Sequence, residues 1–348
     1  MLNKLLAAAV AMGMVATMPF GAGVAAAETA LIVSGTATPT GPAANLYHFK
    51  PEMVPLIGAK YYDSATATRE QVPYPGTVRP LTGANSPTLA QSVATGNNNL
   101  DAMIRRTDGP IVVPGLSQGT LVLDAEQARL ANDPTAPPPD QLTFMKFSDP
   151  SPLLNKFAKP GEVVPVLEYT MPQPFESQYN TVNVVSQYDI YSDPPERMGN
   201  LLAVANALVG RGHTLAAFTD PAAVPPQNVT VTTNSKGATT TTYFLPQEEL
   251  PLVTTLRNAG VPDPVANDLQ VVMKPMIDRA YGPPPPPLPG VQPPNLGNLP
   301  NLGDIRDITI PITAVNGSLT AANGTLAAAN TARTLNNVRN ILVGRKNK

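Results

Sequence analysis

Cysteine and tryptophan are absent from this 348-residue chain, and only two of its residues are histidine. The missing cysteine removes disulfides, thiol nucleophiles and thiolate metal sites together. The two histidines, His48 and His213, stand far apart, and no acidic run has the spacing of a Ca²⁺ loop. No metal and no cofactor is therefore expected. Charge is scarce as well: 14% of residues are charged, the net charge is -2, and no dense basic patch appears, which argues against nucleic acid as a main partner. After the N-terminal segment no apolar run is long enough to cross a bilayer.

What is present is an apolar fraction of 43%, enough for one large core domain with additions. The chain opens with an export signal. Lys4 supplies the positive end, Leu5 to Val24 is apolar and rich in small residues, and Ala25-Ala26-Ala27 has the small-x-small form a signal peptidase accepts. Residues 1–27 are expected to be removed near Ala27, so that the product works outside the cytoplasmic membrane. Pro19 and the small residues favour cleavage over a retained anchor.

Gly115-Leu116-Ser117-Gln118-Gly119 is the most informative stretch. It follows the apolar run Ile111-Val112-Val113 and precedes a helix-like segment, Thr120 to Leu130. This is the strand, sharp turn and helix of a nucleophile elbow, in which glycines stand where side chains would crowd. A serine nucleophile needs a base that titrates near neutrality, and imidazole fits. His213, in the Gly-rich segment Gly210-Arg211-Gly212-His213-Thr214, lies downstream of Ser117. It completes the Ser…Asp…His order of the α/β-hydrolases. His48 lies upstream of the elbow and reads as an ordinary semi-buried or surface histidine. The acid is sought after the strand Thr181 to Ser186. Asp189 is nearest the strand end, Asp193 is its rival, and Asp149 is weaker because it comes one strand earlier. The backbone N–H of Gln118 is one expected oxyanion donor. The other is sought at Gly35 or Thr36, in the turn after the strand Leu31-Ile32-Val33.

Further strand candidates are Leu142 to Phe147 and Val163 to Tyr169. Helix candidates are Ser86 to Ile104, Met198 to Val209, and one or two helices within Leu250 to Ala280. The fold class is α/β: a central, mostly parallel sheet flanked by helices. Asn228 to Phe244 reads as a hairpin turning at Gly237, either a wall of an acyl groove or a peripheral arm. Residues 283–303 read as a Pro-rich PPII-like spacer. Residues 304–348 form an Asn/Thr/Ala-rich tail with an amphipathic stretch, Ala327 to Val343. Its basic end, Arg345-Lys346-Asn347-Lys348, suits weak contact with an anionic cell-envelope surface.

Several of these stretches, in order, resemble the PE-PPE domain family of mycobacteria, which is similar to the cutinases. They are Val33 to Pro39, Pro80 to Gly83 with Leu89 to Gly96, the Gly115–Gly119 elbow including Gln118, Gln187-Tyr188-Asp189 with Asp193-Pro194-Pro195, and Gly212-His213-Thr214. The resemblance runs from Ala30 to about Gly282. It implies Ser117 as nucleophile, Asp189 as orienting acid and His213 as base. Two departures bear on substrate preference. Ile190-Tyr191-Ser192 replaces the usual residues after Gln-Tyr-Asp, and Ser148-Asp149-Pro150 replaces a glycine-asparagine-proline turn. The reading expects no N-terminal PE or PPE helical domain ahead of these stretches.

The leading expectation is an exported serine esterase acting on short- to medium-chain acyl esters, with an acyl ester or lipid as substrate. An acyltransferase on cell-envelope glycolipids is the alternative. A third reading is a non-catalytic, cell-wall or host-facing binding protein on a hydrolase fold.

Overall fold

The computed structural model describes residues 28–37 and 50–282. The expectations for residues 1–27, His48, the 283–303 spacer and the 304–348 tail lie outside the described residues.

The chain enters through β1 (Thr29–Ile32), fully buried, and β2 (Thr68–Gln71). Helix α1 (Leu89–Arg106) starts at Thr88, whose hydroxyl accepts from the Gln91 N–H while the Gln91 side chain reaches back to the Thr88 N–H. This reciprocal cap places the helix start later than the expected Ser86. The buried strand β3 (Ile111–Leu116) leads into α2 (Gln118–Leu130). Next come β4 (Leu142–Phe147), the short α3 (Ser151–Leu154), and the two-residue strands β5 (Val163–Val164) and β6 (Tyr169–Thr170), which pair as a small hairpin. Strand β7 (Asn180–Ser186) precedes α4 (Leu201–Leu208) and the single turn α5 (Gly212–Leu215). The expected hairpin is β8 (Val229–Thr233) and β9 (Thr239–Leu245), with Gly237 at φ +82° in its turn. Helices α6 (Pro251–Asn258) and α7 (Asp263–Asp278) complete the described chain.

Seven strands form one sheet in the order β2-β1-β3-β4-β7-β9-β8. Every neighbouring pair is parallel except β8 with β9. The central strands carry near-continuous apolar runs because helices and loops cover both faces. Leu31, Val113, Leu123 and Phe144 pack on one face with α1 and α2. Ile32, Val112, Met145 and Phe147 pack on the other with Ile57 and Ala217. A third apolar cluster joins α4, α6 and α7 around Tyr188 and Leu250. This is an α/β-hydrolase-like fold. Strand β3 runs past the expected Val113 and includes Pro114 and Gly115. Pro114 has no N–H to donate, and the regular β1–β3 pairing stops at Ala30–Val112 and resumes as an isolated bridge between Val33 and Gly115, with the Val33 N–H donating to the Pro114 carbonyl at 2.9 Å. The hairpin closes one edge of the sheet, and β8 is its mostly exposed outer strand.

Candidate active site

Parallel sheets of this kind place their sites at the carboxyl ends of the strands. Three neighbouring strands, β3, β4 and β7, carry nearly all of this one. Each is followed by a non-glycine residue with left-handed backbone: Ser117 at φ 54°, Ser148 at φ 53° and Tyr188 at φ 60°. Such residues cost free energy and persist only where their surroundings hold them.

Ser117 directly follows β3, its N–H donating to the Phe147 carbonyl at 2.9 Å. The elbow glycines are needed for close approach. A β-carbon at Gly119 would overlap the Val33 carbonyl and lie 2.7 Å from the Ser34 oxygen, and one at Gly115 would lie 2.8 Å from Leu123 Cδ1. The positive φ falls on the serine itself, which presents its side chain at the start of α2. As the first residue of that helix, Gln118 has an N–H with no intrahelical acceptor. Its side-chain Nε2 donates to the Thr77 carbonyl at 2.9 Å. The loop after β1 lies against Ser117: a β-carbon added at Gly35 would sit 3.3 Å from Ser117 Cβ. Tyr74 Oη, donating to the Ser34 carbonyl at 2.5 Å, and the Ala37 N–H, donating to the Gly76 carbonyl at 2.7 Å, hold that loop on either side of Gly35 and Thr36.

Asp189, only 2% exposed, lies just past β7. His213 Nδ1 is 2.9 Å from its Oδ2. The same carboxylate accepts from the Ser192 hydroxyl at 2.7 Å and from the N–H groups of Tyr191 and Ser192. Burial opposes its charge, but the imidazole and these donors outweigh burial and hold its pKa below the usual carboxylate value. The Tyr191 ring lies 4.5 Å from the His213 ring, centroid to centroid, and covers one of its faces. The segment expected to be a loop around His213 is the one-turn helix α5. Gly212 is there because a β-carbon would overlap Ser186 Oγ, not because the chain must bend.

The other two candidate acids have different partners. Asp193 accepts from the Tyr188 N–H at 2.9 Å and so caps the strained acid turn; burial raises its pKa to about 6. Asp149 Oδ2 lies 2.5 Å from Lys146 Nζ, which also contacts Asp124 at 2.8 Å. Asp149 Oδ1 accepts from Thr120 Oγ1 at 3.2 Å and from the Ser151 N–H. The described residues therefore bring Asp189 and His213 together and leave Asp193 and Asp149 elsewhere. They join Ser117 Oγ to neither His213 nor any other group by a hydrogen bond. Catalytic contacts of this kind often tighten only once substrate is bound. Ser192 and Ser148, which touch Asp189 and the His213 segment, stand in the two departures noted in the sequence, where they pointed to substrate preference and to no such contact. The signal available for both was departure from the family pattern at those positions. Among the described residues no group of three or more His, Cys, Asp or Glu side chains is placed to hold a metal.

Comparison with known proteins decides the family. The PE-PPE domain matches residues 65–282. This chain belongs to the PE-PPE domain family. The match ends where the resemblance was expected to end and starts later than Ala30, leaving β1 and its loop outside it. SL1278 acyltransferase Chp1 of Mycobacterium tuberculosis is 58% identical over 291 residues, 82% of this chain and 72% of that protein. Diacyltrehalose acyltransferase Chp2 of the same organism is 49% identical over 56% of this chain and 57% of its own length. Esterase PE16, also from that organism, is 31% identical over 73% of this chain and 48% of its own. Membership points to enzymes of acyl and lipid chemistry. The two acyltransferases are more similar to this chain than the esterase is.

Proposed function

We propose that this PE-PPE protein is a serine acyltransferase that moves an acyl chain from an ester donor to a hydroxyl of an envelope glycolipid or its sugar. The observation that carries the chemistry is the pairing of the buried Asp189 with the half-buried His213 at the carboxyl end of the sheet that bears the Gly115–Gly119 elbow. The names of the two most similar relatives described above favour transfer over hydrolysis.

In the first half-reaction Ser117 Oγ attacks the donor carbonyl while His213 Nε2 takes the hydroxyl proton. Asp189 fixes the imidazole tautomer and steadies the imidazolium. The N–H groups of Gln118 and of Gly35 or Thr36 receive the oxyanion. Collapse breaks the donor's ester C–O bond, and His213 returns the proton to the departing alkoxide. In the second half-reaction His213 deprotonates the acceptor hydroxyl, that oxygen attacks the acyl-Ser117 carbonyl, and the proton returns to Ser117 Oγ as the new ester leaves. Water in place of the acceptor gives hydrolysis, and the similarity to an esterase supports that second reading.

A lipid substrate also fits the surface around the base. Leu201, Leu208 and Leu215, on α4 and α5, are exposed, as is Tyr191 against His213. Among the described residues no single helix is long and apolar enough to cross a membrane. The reading includes export after cleavage near Ala27, which puts the enzyme in the compartment of such glycolipids.

The test is product analysis after incubation with a p-nitrophenyl acyl ester and trehalose. Acylated trehalose that rises with trehalose concentration and is lost in Ser117→Ala supports the reading. Free fatty acid alone at every trehalose concentration makes the protein an esterase. No turnover and no labelling by a fluorophosphonate probe favours the binding-protein reading.

A further inference from the structure

The last residue of β4 and the first residue after it hold the main chains of both reacting residues of the proposed site. The Phe147 carbonyl accepts the Ser117 N–H at 2.9 Å. The next residue, Ser148, is fully buried and donates its hydroxyl to the His213 carbonyl at 2.8 Å. Its own N–H donates to the Val184 carbonyl on β7 at 3.0 Å, so the residue is pinned on both sides. Asp149 then accepts from Thr120 Oγ1, which also lies 2.8 Å from the Ser117 carbonyl.

Ser148 does this from a backbone conformation that suits glycine, φ 53°. The resembling family has glycine at this point of the turn, and glycine would sit there without strain. The hydroxyl of the strained residue grips the main chain of the base segment. The His213 segment has few other anchors of this kind. It is a single helical turn that follows α4 after Gly210 and Arg211 and runs on into the buried Ala216 and Ala217, and among the described residues its imidazole hydrogen-bonds to Asp189.

We infer that Ser148 is a positioning residue for the base, its hydroxyl fixing the height of α5 so that His213 stands between Asp189 and Ser117. This rests on the triad proposed above. It differs from a packing role in a way that can be measured. Loss of the hydroxyl shifts the imidazole by a fraction of an ångström while leaving the substrate surface intact, so kcat falls and KM stays. Ser148→Gly removes the hydroxyl and the strain together, and Ser148→Ala removes the hydroxyl alone.

The experiment compares the full-length parent with both variants by fluorophosphonate labelling rate, steady-state ester kinetics, melting temperature, and NMR of the imidazole protons, which only two histidines contribute. Expected are labelling and kcat slowed about ten- to hundredfold in both variants with KM little changed. Ser148→Gly is expected to melt no lower than Ser148→Ala, and the His213 imidazole signal is expected to move or broaden in both. Parental labelling rates in both variants would overturn the inference. So would slowing that appears only in a variant that is already partly unfolded. Should the parent fail to label, the triad reading falls first and the imidazole signal still decides about Ser148. An unchanged His213 resonance contradicts the positioning role, and a changed one supports it.

Discussion

The carboxyl ends of β7 and β4 each lead into a buried aspartate, and the two aspartates have been put to different uses. Asp189 faces an imidazole at 2.9 Å, and Asp149 faces a lysine ammonium at 2.5 Å. Both carboxyls are held below their ordinary pKa, against burial, by a cationic or polarised partner and by hydrogen bonds from the following turn. Burial and strand-end position alone therefore do not mark a catalytic acid. The partner separates them: Asp189 meets an imidazole, while Asp149 meets Lys146, whose pKa Asp124 and Asp149 push up against burial.

The widest separation between the two ends should come from replacing each aspartate by asparagine. Asp189→Asn leaves the shape but favours the wrong imidazole tautomer. Acylation should fall by about 10³- to 10⁴-fold, measured as the single-turnover burst with a p-nitrophenyl ester. Asp149→Asn leaves Lys146 paired with Asp124. It should cost about 1–3 kcal/mol of stability by chemical denaturation and less than about tenfold in rate. A larger rate loss for Asp149→Asn than for Asp189→Asn would reverse the assignment of the two ends.

A smaller effect separates charged carboxyls from neutral ones. Glu126 on α2 is fully buried, and burial, helped by the nearby Asp101 charge, pushes its pKa from 4.5 up to about 8. The folded state therefore keeps a proton that the unfolded chain releases. Stability from neutral Glu126 is fully present below its ordinary value and fades as pH rises toward 8. Asp189 has the opposite sign: its contribution is present above the ordinary carboxylate value and is lost as pH falls. Melting temperature followed from pH 5 to pH 8 should decline for the parent and be flatter for Glu126→Gln, with parallel curves counting against this account.

The elements of the site were legible to different depths. Ser117 was singled out because an elbow requires small residues on both sides of a nucleophile, and a β-carbon at Gly119 would indeed overlap the Val33 carbonyl. His213 followed from scarcity, since one of only two histidines lies downstream. The sheet was readable from the apolar runs of β3 and β4, which parallel strands covered on both faces must have. What stayed hidden depended on contacts distant in sequence. Pro114 concealed the end of β3, because a proline removes a ladder donor and only the pairing with β4 shows the strand continuing to Leu116. Gly210 and Gly212 suggested a loop around His213, but Gly212 answers to Ser186 across the sheet. Nothing in the sequence says that Ser148 adopts φ 53° or that its hydroxyl meets a carbonyl 65 residues away.

The central claim is that the β7 end, with Ser117 across the sheet, forms a covalent acyl-enzyme that a sugar hydroxyl can discharge. Intact-mass measurement of the protein mixed with a p-nitrophenyl acyl ester, followed by peptide mapping and a trehalose chase, tests it most directly. The account predicts a single acyl adduct on the peptide containing Ser117. Trehalose should clear it faster than buffer does, and it should be absent in Ser117→Ala. An adduct on another residue, or one that trehalose never accelerates in clearing, would contradict it.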